Sequence, residues 1–144
     1  MKVLVIGSGA REHALVRSLI ADPLVDAVVA APGNAGIQAV ALCRWVDAPD
    51  PEQVADLAQE IAADLVVVGP EAPLVAGVAD AVRDRGVACF GPSASAAQLE
   101  GSKAFAKEIM RRHGIPTAGA RAFTDAAAAR AYIRTVGAPL VVKA

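Results

Sequence analysis

Residues 2–20, KVLVIGSGAREHALVRSLI, constrain the fold more than any other stretch. Val3, Leu4, Val5 and Ile6 run without a polar break into Gly7. A strand with one wet face alternates apolar and polar residues, whereas an unbroken apolar run suits a strand covered on both faces, as in parallel sheets. Beyond the glycines, the pairs Leu15/Leu19 and Val16/Ile20 recur at four-residue spacing and make one apolar helical stripe, closed by Asp22-Pro23. Buried strand, glycine turn and amphipathic helix, in that order, predict the opening of a βαβ unit.

The same rhythm continues. DAVVAA (26–31) reads as a strand followed by the turn PGNAG (32–36), and ALCRWV as a third, short strand. DPEQVADLAQEIAA (50–63) has Asp50 as helix cap, Pro51 at the first helical position and an acidic first turn. DLVVVG (64–69) is a strand with GPEAPL at its carboxyl end; VAGVADAVRDRG is a helix and VACFG a strand. SAAQLEGSKAFAKEIMRRHG reads as a helix broken near Gly101. The alternation predicts an α/β fold: a doubly wound parallel sheet with right-handed crossovers and helices on both faces. IPTAGARAF (115–123) changes the rhythm to an extended connection, followed by helix TDAAAARAYIRTVG and a strand PLVVKA at 139–144. A sheet that begins on its last residues is unfinished. The chain therefore divides into a domain over 1–100 and, over 101–144, a connecting helix, a linker and the incomplete start of a second domain.

The 144 residues are 55% hydrophobic but only 3% aromatic, so the core must be built from Val, Leu, Ile and Ala. A net charge of −1 and a pI near 6.1 argue against nucleic acid as partner, and so few aromatics leave little to stack on bases. No stretch approaches the ~18 apolar residues of a membrane span, and VLVI is too short for a signal-peptide core. Cys43 and Cys89 lie far apart without a CxxC pattern and are expected to be small buried hydrophobes. The expected setting is the cytoplasm, with no membrane partner.

In an open parallel sheet, ligands sit outside the carboxyl ends of the strands, where the strand order switches. Three turns fall at that edge: GSGAREH, PGNAG and GPEAPL. Gly7 and Gly9 permit a sharp turn, the amides from Gly9 onward open a helix that attracts an anion, and Arg11 adds a fork-shaped phosphate donor. The plain alternative is a tight connection with Arg11 in solvent. The dinucleotide fingerprint is broken twice: Glu12 stands where its third glycine belongs, and the second strand ends without a carboxylate. A single phosphate is the expected cargo, with an NAD(P)-binding domain of an oxidoreductase or a non-catalytic phosphate-binding module as competing readings. Asn34 either supplies a left-handed turn or touches a polar ligand. Glu71, between the restricting Pro70 and Pro73, either caps the next helix or accepts bonds from ribose hydroxyls or an amine. His13 is expected to pack or cap. Lys103, Lys107 and Arg111 can form a merely solvated face, and Lys143 ends an apolar run where either a ligand phosphate or a strand end reaching solvent would explain a charge.

The ordered motifs VLVIGSGAREHAL, PGNAG, VVVGPEAPL, GVACFGPSASAAQLEGSKAFAKEIM, HGIPTA and PLVVKA resemble the N-terminal third of the glycinamide ribonucleotide synthetases, ATP-grasp ligases. The resemblance implies a Rossmann-like, pre-ATP-grasp domain followed by a truncated ATP-grasp start. It implies that glycine carboxylate is phosphorylated by ATP and that the amine of phosphoribosylamine attacks the glycyl phosphate. The phosphoribosyl substrate would then lie against Gly7, Gly9, Ala10, Arg11, Glu12, Asn34, Gly36, Pro70, Glu71 and Pro73. Its 5-phosphate falls to the Gly9 and Ala10 amides with Arg11, and its ribose or amine to Glu71 and Asn34. Lys103 and Lys143 would reach ATP phosphates. Magnesium or manganese ligands and the remaining catalytic groups are expected beyond Ala144, leaving no catalytic or metal-binding residue in these 144 and the segment alone inactive. Substrates would be phosphoribosylamine, glycine and ATP, and the protein a monomer. One departure is Ala10, where the family commonly has a second glycine; alanine costs about 1 kcal/mol or more there if the position needs a positive φ and is harmless if it is helical, the expected case.

Overall fold

The computed structural model describes residues 1–143. Two compact units are present, Met1–Ala106 and Lys107–Ala144.

In the first unit, β1 (Lys2–Gly7), β2 (Ala27–Pro32), β3 (Leu42–Cys43), β4 (Leu65–Val68) and β5 (Ala88–Phe90) form one sheet in the order β3-β2-β1-β4-β5, with every neighbour parallel. The unbroken apolar run explains the central strand: Val3, Leu4, Val5 and Ile6 are all fully buried. Leu4 and Ile6 join Val66 and Val68 on one face, under α3 (Pro51–Glu60), α4 (Glu71–Ala76), α5 (Val78–Asp84) and α6 (Ala94–Gly101). Val3 and Val5 join Val28, Ala30 and Val67 on the other, under Val16 of α1 (Ala10–Ile20) and Ile37 of α2 (Ala35–Gln38). The doubly wound parallel sheet is thus present, with one apolar layer on each side.

Several boundaries differ from the sequence reading. The third strand shrinks from ALCRWV to two residues, although Val46 beyond it is buried. The helix expected across residues 75–86 is broken at Gly77, whose φ of +100° ends α4 and starts α5. Most of GPEAPL is helical, α4 beginning at Glu71. Cys43 and Cys89 are partly rather than fully buried, and burial pushes both thiols up.

α7 (Lys103–Arg112) runs from the first unit into the second, whose other helix is α8 (Ala126–Val136). α8 is capped by Asp125, whose carboxylate accepts the Ala127 and Ala128 amides at 3.3 and 2.8 Å. Residues 139–143 take no regular structure, against the expected strand; among the described residues no neighbouring strand exists to bond their amides and carbonyls. Ala144, the last residue of that expected strand, lies outside the described residues.

Candidate functional site

The strand order places three strand ends side by side. The chain leaves β1 for β2 on one side and returns to β4 on the other, so the switch point lies between β1 and β4. Ser8-Gly9, Gly33-Asn34 and Gly69-Pro70 form the adjoining turns, each leading into a helix.

Short bonds tie the turns together. The Gly33 amide donates to the Gly7 carbonyl at 3.2 Å, and the Gly69 amide to the Ile6 carbonyl at 3.0 Å. Asn34 Nδ2 donates to the Ser8 carbonyl at 2.7 Å, while its Oδ1 accepts the Ile37 amide at 3.0 Å and caps α2. Asn34 itself is extended, with φ −148° and ψ 175°; the left-handed conformation belongs to Gly33, with φ +72°. Of the two readings of Asn34, the turn conformation is therefore excluded, and its amide is already committed to the scaffold.

Arg11 and Glu71 come together at this rim. A guanidinium nitrogen of Arg11 lies 3.8 Å from the Glu71 carboxylate, and both side chains face solvent. α1 leaves the first-turn amides of Ala10, Arg11 and Glu12 without intrahelical acceptors, and the helix dipole adds positive potential there. Ala10 is the first helical residue and has no positive φ, so the missing glycine introduces no strain.

Two expectations need correction. The Gly9 amide is not free for phosphate, because it donates to Glu12 Oε2 at 2.6 Å; the anion-facing amides begin at Ala10. Glu12 is enclosed, 3% exposed, rather than presented at the rim. Its side chain fills the position where a dinucleotide fold packs its third glycine, and the clearance comes from the neighbouring strand end instead. A Cβ on Gly69 would lie 2.1 Å from Glu12 Oε1. Glutamate at the third helical position, reaching back to the cap amide, is half a capping box, and that spacing was the available signal.

The other candidates are placed as follows. Gly7 has φ +129°, and a Cβ there would meet Glu12 Cγ at 2.7 Å. Gly36 makes room for the His13 ring, which would lie 2.8 Å from a Cβ there, so His13 packs α1 against α2. Pro70 precedes α4, and Pro73 is buried in its first turn, where the missing amide has no intrahelical acceptor. Lys103 opens α7 in the first unit; Lys143 lies in the irregular stretch of the second, and both are exposed. Lys107 donates to Thr117 Oγ1 and the Ala118 carbonyl, each at 2.7 Å. Arg111 and Arg112 both bond Glu108, which pulls that carboxyl down to about 2. Most of the expected solvated face is thus internally paired.

With this geometry in place, sequence comparison decides the family. The N domain of phosphoribosylglycinamide synthetase matches residues 1–100, and the ATP-grasp (A) domain of the same enzyme matches residues 101–144. The chain belongs to the phosphoribosylglycinamide synthetase family. A phosphoribosylamine–glycine ligase of Streptomyces coelicolor is 61% identical over 143 residues, covering 99% of this chain and 34% of that protein. A Pseudomonas putida protein of the same name is 55% identical over 146 aligned positions, again with 34% of its length covered. The chain thus spans about a third of the curated relatives it matches. The crystal structure of the Thermotoga maritima phosphoribosylamine–glycine ligase superposes with a TM-score of 0.58 at 27% identity, over 83% of this chain and 26% of that one. Among the described residues no helix is long and apolar enough to cross a membrane, and no group of three or more His, Cys, Asp or Glu is arranged to hold a metal ion.

Proposed function

We propose that this chain is the amino-terminal part of an ATP-dependent ligase that joins glycine to 5-phosphoribosylamine, with the phosphoribosyl group held at the rim of the first unit. The observation that carries this reading is the meeting of α1's open amides, Arg11 and Glu71 beside one switch point. The first-turn amides from Ala10 and the Arg11 guanidinium bind the 5-phosphate; Glu71 accepts from the ribose hydroxyls or the amine. Asn34 and Gly36, Pro70 and Pro73 keep the flanking turns in place. Residues 1–100 form the substrate-binding domain, and residues 101–144 open the ATP-binding domain, Lys103 and Lys143 being directed to nucleotide phosphates.

In the whole enzyme, glycine carboxylate attacks the γ-phosphorus of ATP and ADP leaves. The amine of phosphoribosylamine then attacks the glycyl carbonyl, phosphate leaves, and glycinamide ribonucleotide forms. Magnesium (or manganese) would screen the transferring phosphoryl group. Among the described residues no three His, Cys, Asp or Glu are grouped to hold that ion; the first unit binds and orients the sugar phosphate. The enzyme is taken to be a cytoplasmic monomer without nucleic-acid partners.

Thermal unfolding of the chain with ribose 5-phosphate tests the reading. Ligand at 100 times its Kd adds about 2.7 kcal/mol to native stability, a shift of several degrees. Ribose 5-phosphate is expected to raise Tm, NAD to leave it unmoved, and the 144 residues to form no glycinamide ribonucleotide from ATP. A shift with NAD and none with ribose 5-phosphate would favour the dinucleotide reading; ATP-dependent product would show a complete site in this chain.

A further inference from the structure

Glu12 is the only charged side chain that the fold encloses among the described residues. Its two carboxyl oxygens have different surroundings. Oε2 accepts the Gly9 amide at 2.6 Å. Oε1 is buried and has no hydrogen-bond partner among the described residues. The turn beside it explains why: the Gly69 amide is already given to the Ile6 carbonyl, and Pro70 has no amide. A buried acceptor without a donor weakens a fold, and an apolar side chain of similar size would fill the same space without that penalty. What an acceptor does here is engage the Gly9 amide through Oε2, at the cost of leaving Oε1 without a donor among the described residues.

The surrounding backbone is shaped to this one side chain. A Cβ would lie 2.7 Å from Glu12 Cγ at Gly7, 2.8 Å from Oε2 at Gly9 and 2.1 Å from Oε1 at Gly69. Gly7 ends β1, Gly9 lies in the turn after it and Gly69 in the turn after β4, so Glu12 is wedged between the two strand ends that flank the switch point. Arg11, which follows the first turn, and Glu71, which follows the second, meet directly in a loose contact of 3.8 Å, in addition to the Gly69 amide bond to the Ile6 carbonyl at 3.0 Å.

We propose that Glu12 is a positioning residue. Its carboxylate sets the spacing between the β1–α1 and β4–α4 turns, and so the distance from the phosphate-facing amides and Arg11 to the sugar-facing Glu71. By engaging the Gly9 amide it also directs the phosphoryl group to the amides from Ala10 onward. The inference deepens the proposed function and rests on a ribosyl phosphate occupying the rim.

A double-substitution cycle between positions 12 and 69, with ribose 5-phosphate as probe, tests it in this chain. Gly69→Ala drives a methyl group into the carboxylate, while Glu12→Ala empties that space. Each single change is expected to weaken ribose 5-phosphate binding by about tenfold, and the pair to bind no more weakly than Glu12→Ala alone. Glu12→Gln, which keeps the shape and an acceptor for Gly9, should stay within about threefold of the parent chain. Inorganic phosphate, too small to reach Glu71, should lose much less affinity than ribose 5-phosphate in Gly69→Ala. General loss of folding would not separate the two ligands. Losses that multiply in the pair, or equal losses for both ligands, overturn the proposal. If Glu12→Ala does not fold, Glu12→Asp, one methylene shorter, takes its place with the same comparison of ligands. If the parent chain binds no ribose 5-phosphate, the occupancy reading fails by itself. The wedge is then read from hydrogen exchange of the Gly9 amide, which must quicken in Gly69→Ala and be no faster in the pair than in Glu12→Ala; multiplied effects there also overturn it.

Discussion

Arg11 and Glu71 are exposed by 70% and 49%, so their ion pair contributes only ~0–1 kcal/mol to stability and is readily opened by a ligand. The two roles separate by choice of probe. Arg11→Ala removes a charged donor worth roughly 1.5–3 kcal/mol to a phosphate, so inorganic phosphate and ribose 5-phosphate should both weaken by about tenfold or more. Glu71→Gln removes an acceptor from the sugar and relieves Arg11 of its partner, so ribose 5-phosphate should weaken while inorganic phosphate holds or tightens. Calorimetric titration of both variants checks this, and parallel loss of both ligands in Glu71→Gln would contradict the division. Arg11 and Glu71 were legible in sequence because a charge just past an apolar strand is anomalous on its face. The enclosure of Glu12 and the inward bond of Asn34 were not. Glu12 bonds the amide of Gly9 only three residues before it, but what encloses it is Gly69 on the neighbouring strand end; Asn34 bonds Ser8 of the neighbouring turn, which only the sheet order brings close.

At the scale of elements, α3 carries its own explanation at both ends. Asp50 accepts the Glu52 and Gln53 amides at 3.0 and 3.2 Å, and Pro51 occupies the first helical position, which the sequence signalled. The other end was not signalled. The Ala63 amide returns to the Ala58 carbonyl at 2.9 Å and the Ala62 amide to Gln59 at 3.0 Å, the two bonds of a Schellman cap. Its left-handed position, usually glycine, is held by Ala62 at φ +51°. An alanine run gives no stop, so the helix read from sequence extends to residue 63 instead of ending at Glu60. Left-handed alanine is disfavoured by about 1–2 kcal/mol, partly offset by the greater backbone freedom of unfolded glycine. Ala62→Gly, at an exposed site, should therefore raise stability by about 0.5–1 kcal/mol, read as a higher urea midpoint at unchanged slope. A lower midpoint would mean that the Ala62 methyl makes a contact worth more than its strain. Gly77 is the reverse case: its glycine was visible, but apolar spacing continues across it, and only the backbone reveals the break between α4 and α5.

Across the whole molecule, apolar residues are plentiful in both units, but only the first buries them. β1 to β4 and the surrounding helices enclose two apolar layers, whereas no described residue after Ala106 is fully buried. Val141 and Val142 stand 80% and 72% exposed, with the composition of a strand and, among the described residues, no strand beside them. Periodicity reports which face of an element is apolar and is silent on what covers it, so PLVVKA reads as a strand although its pairing is a long-range matter. What order the second unit has comes from local contacts: the Asp125 cap, and Arg121 stacked 5.3 and 5.2 Å from the Phe123 and Tyr132 ring centres. A segment of fewer than about 40 residues without a core rarely holds a stable fold by itself. Hydrogen exchange followed by mass spectrometry should therefore divide the chain. Peptides from β1 and β4 should exchange only through global opening, with free energies near the full stability of the first unit. Peptides from α8 should exchange through local opening that costs little, reaching full deuteration orders of magnitude sooner. Added denaturant should accelerate the β1 peptides steeply and the α8 peptides hardly at all, because little further surface is exposed when α8 opens. Protection of α8 equal to that of β1, with the same denaturant dependence, would show that the two units unfold as one.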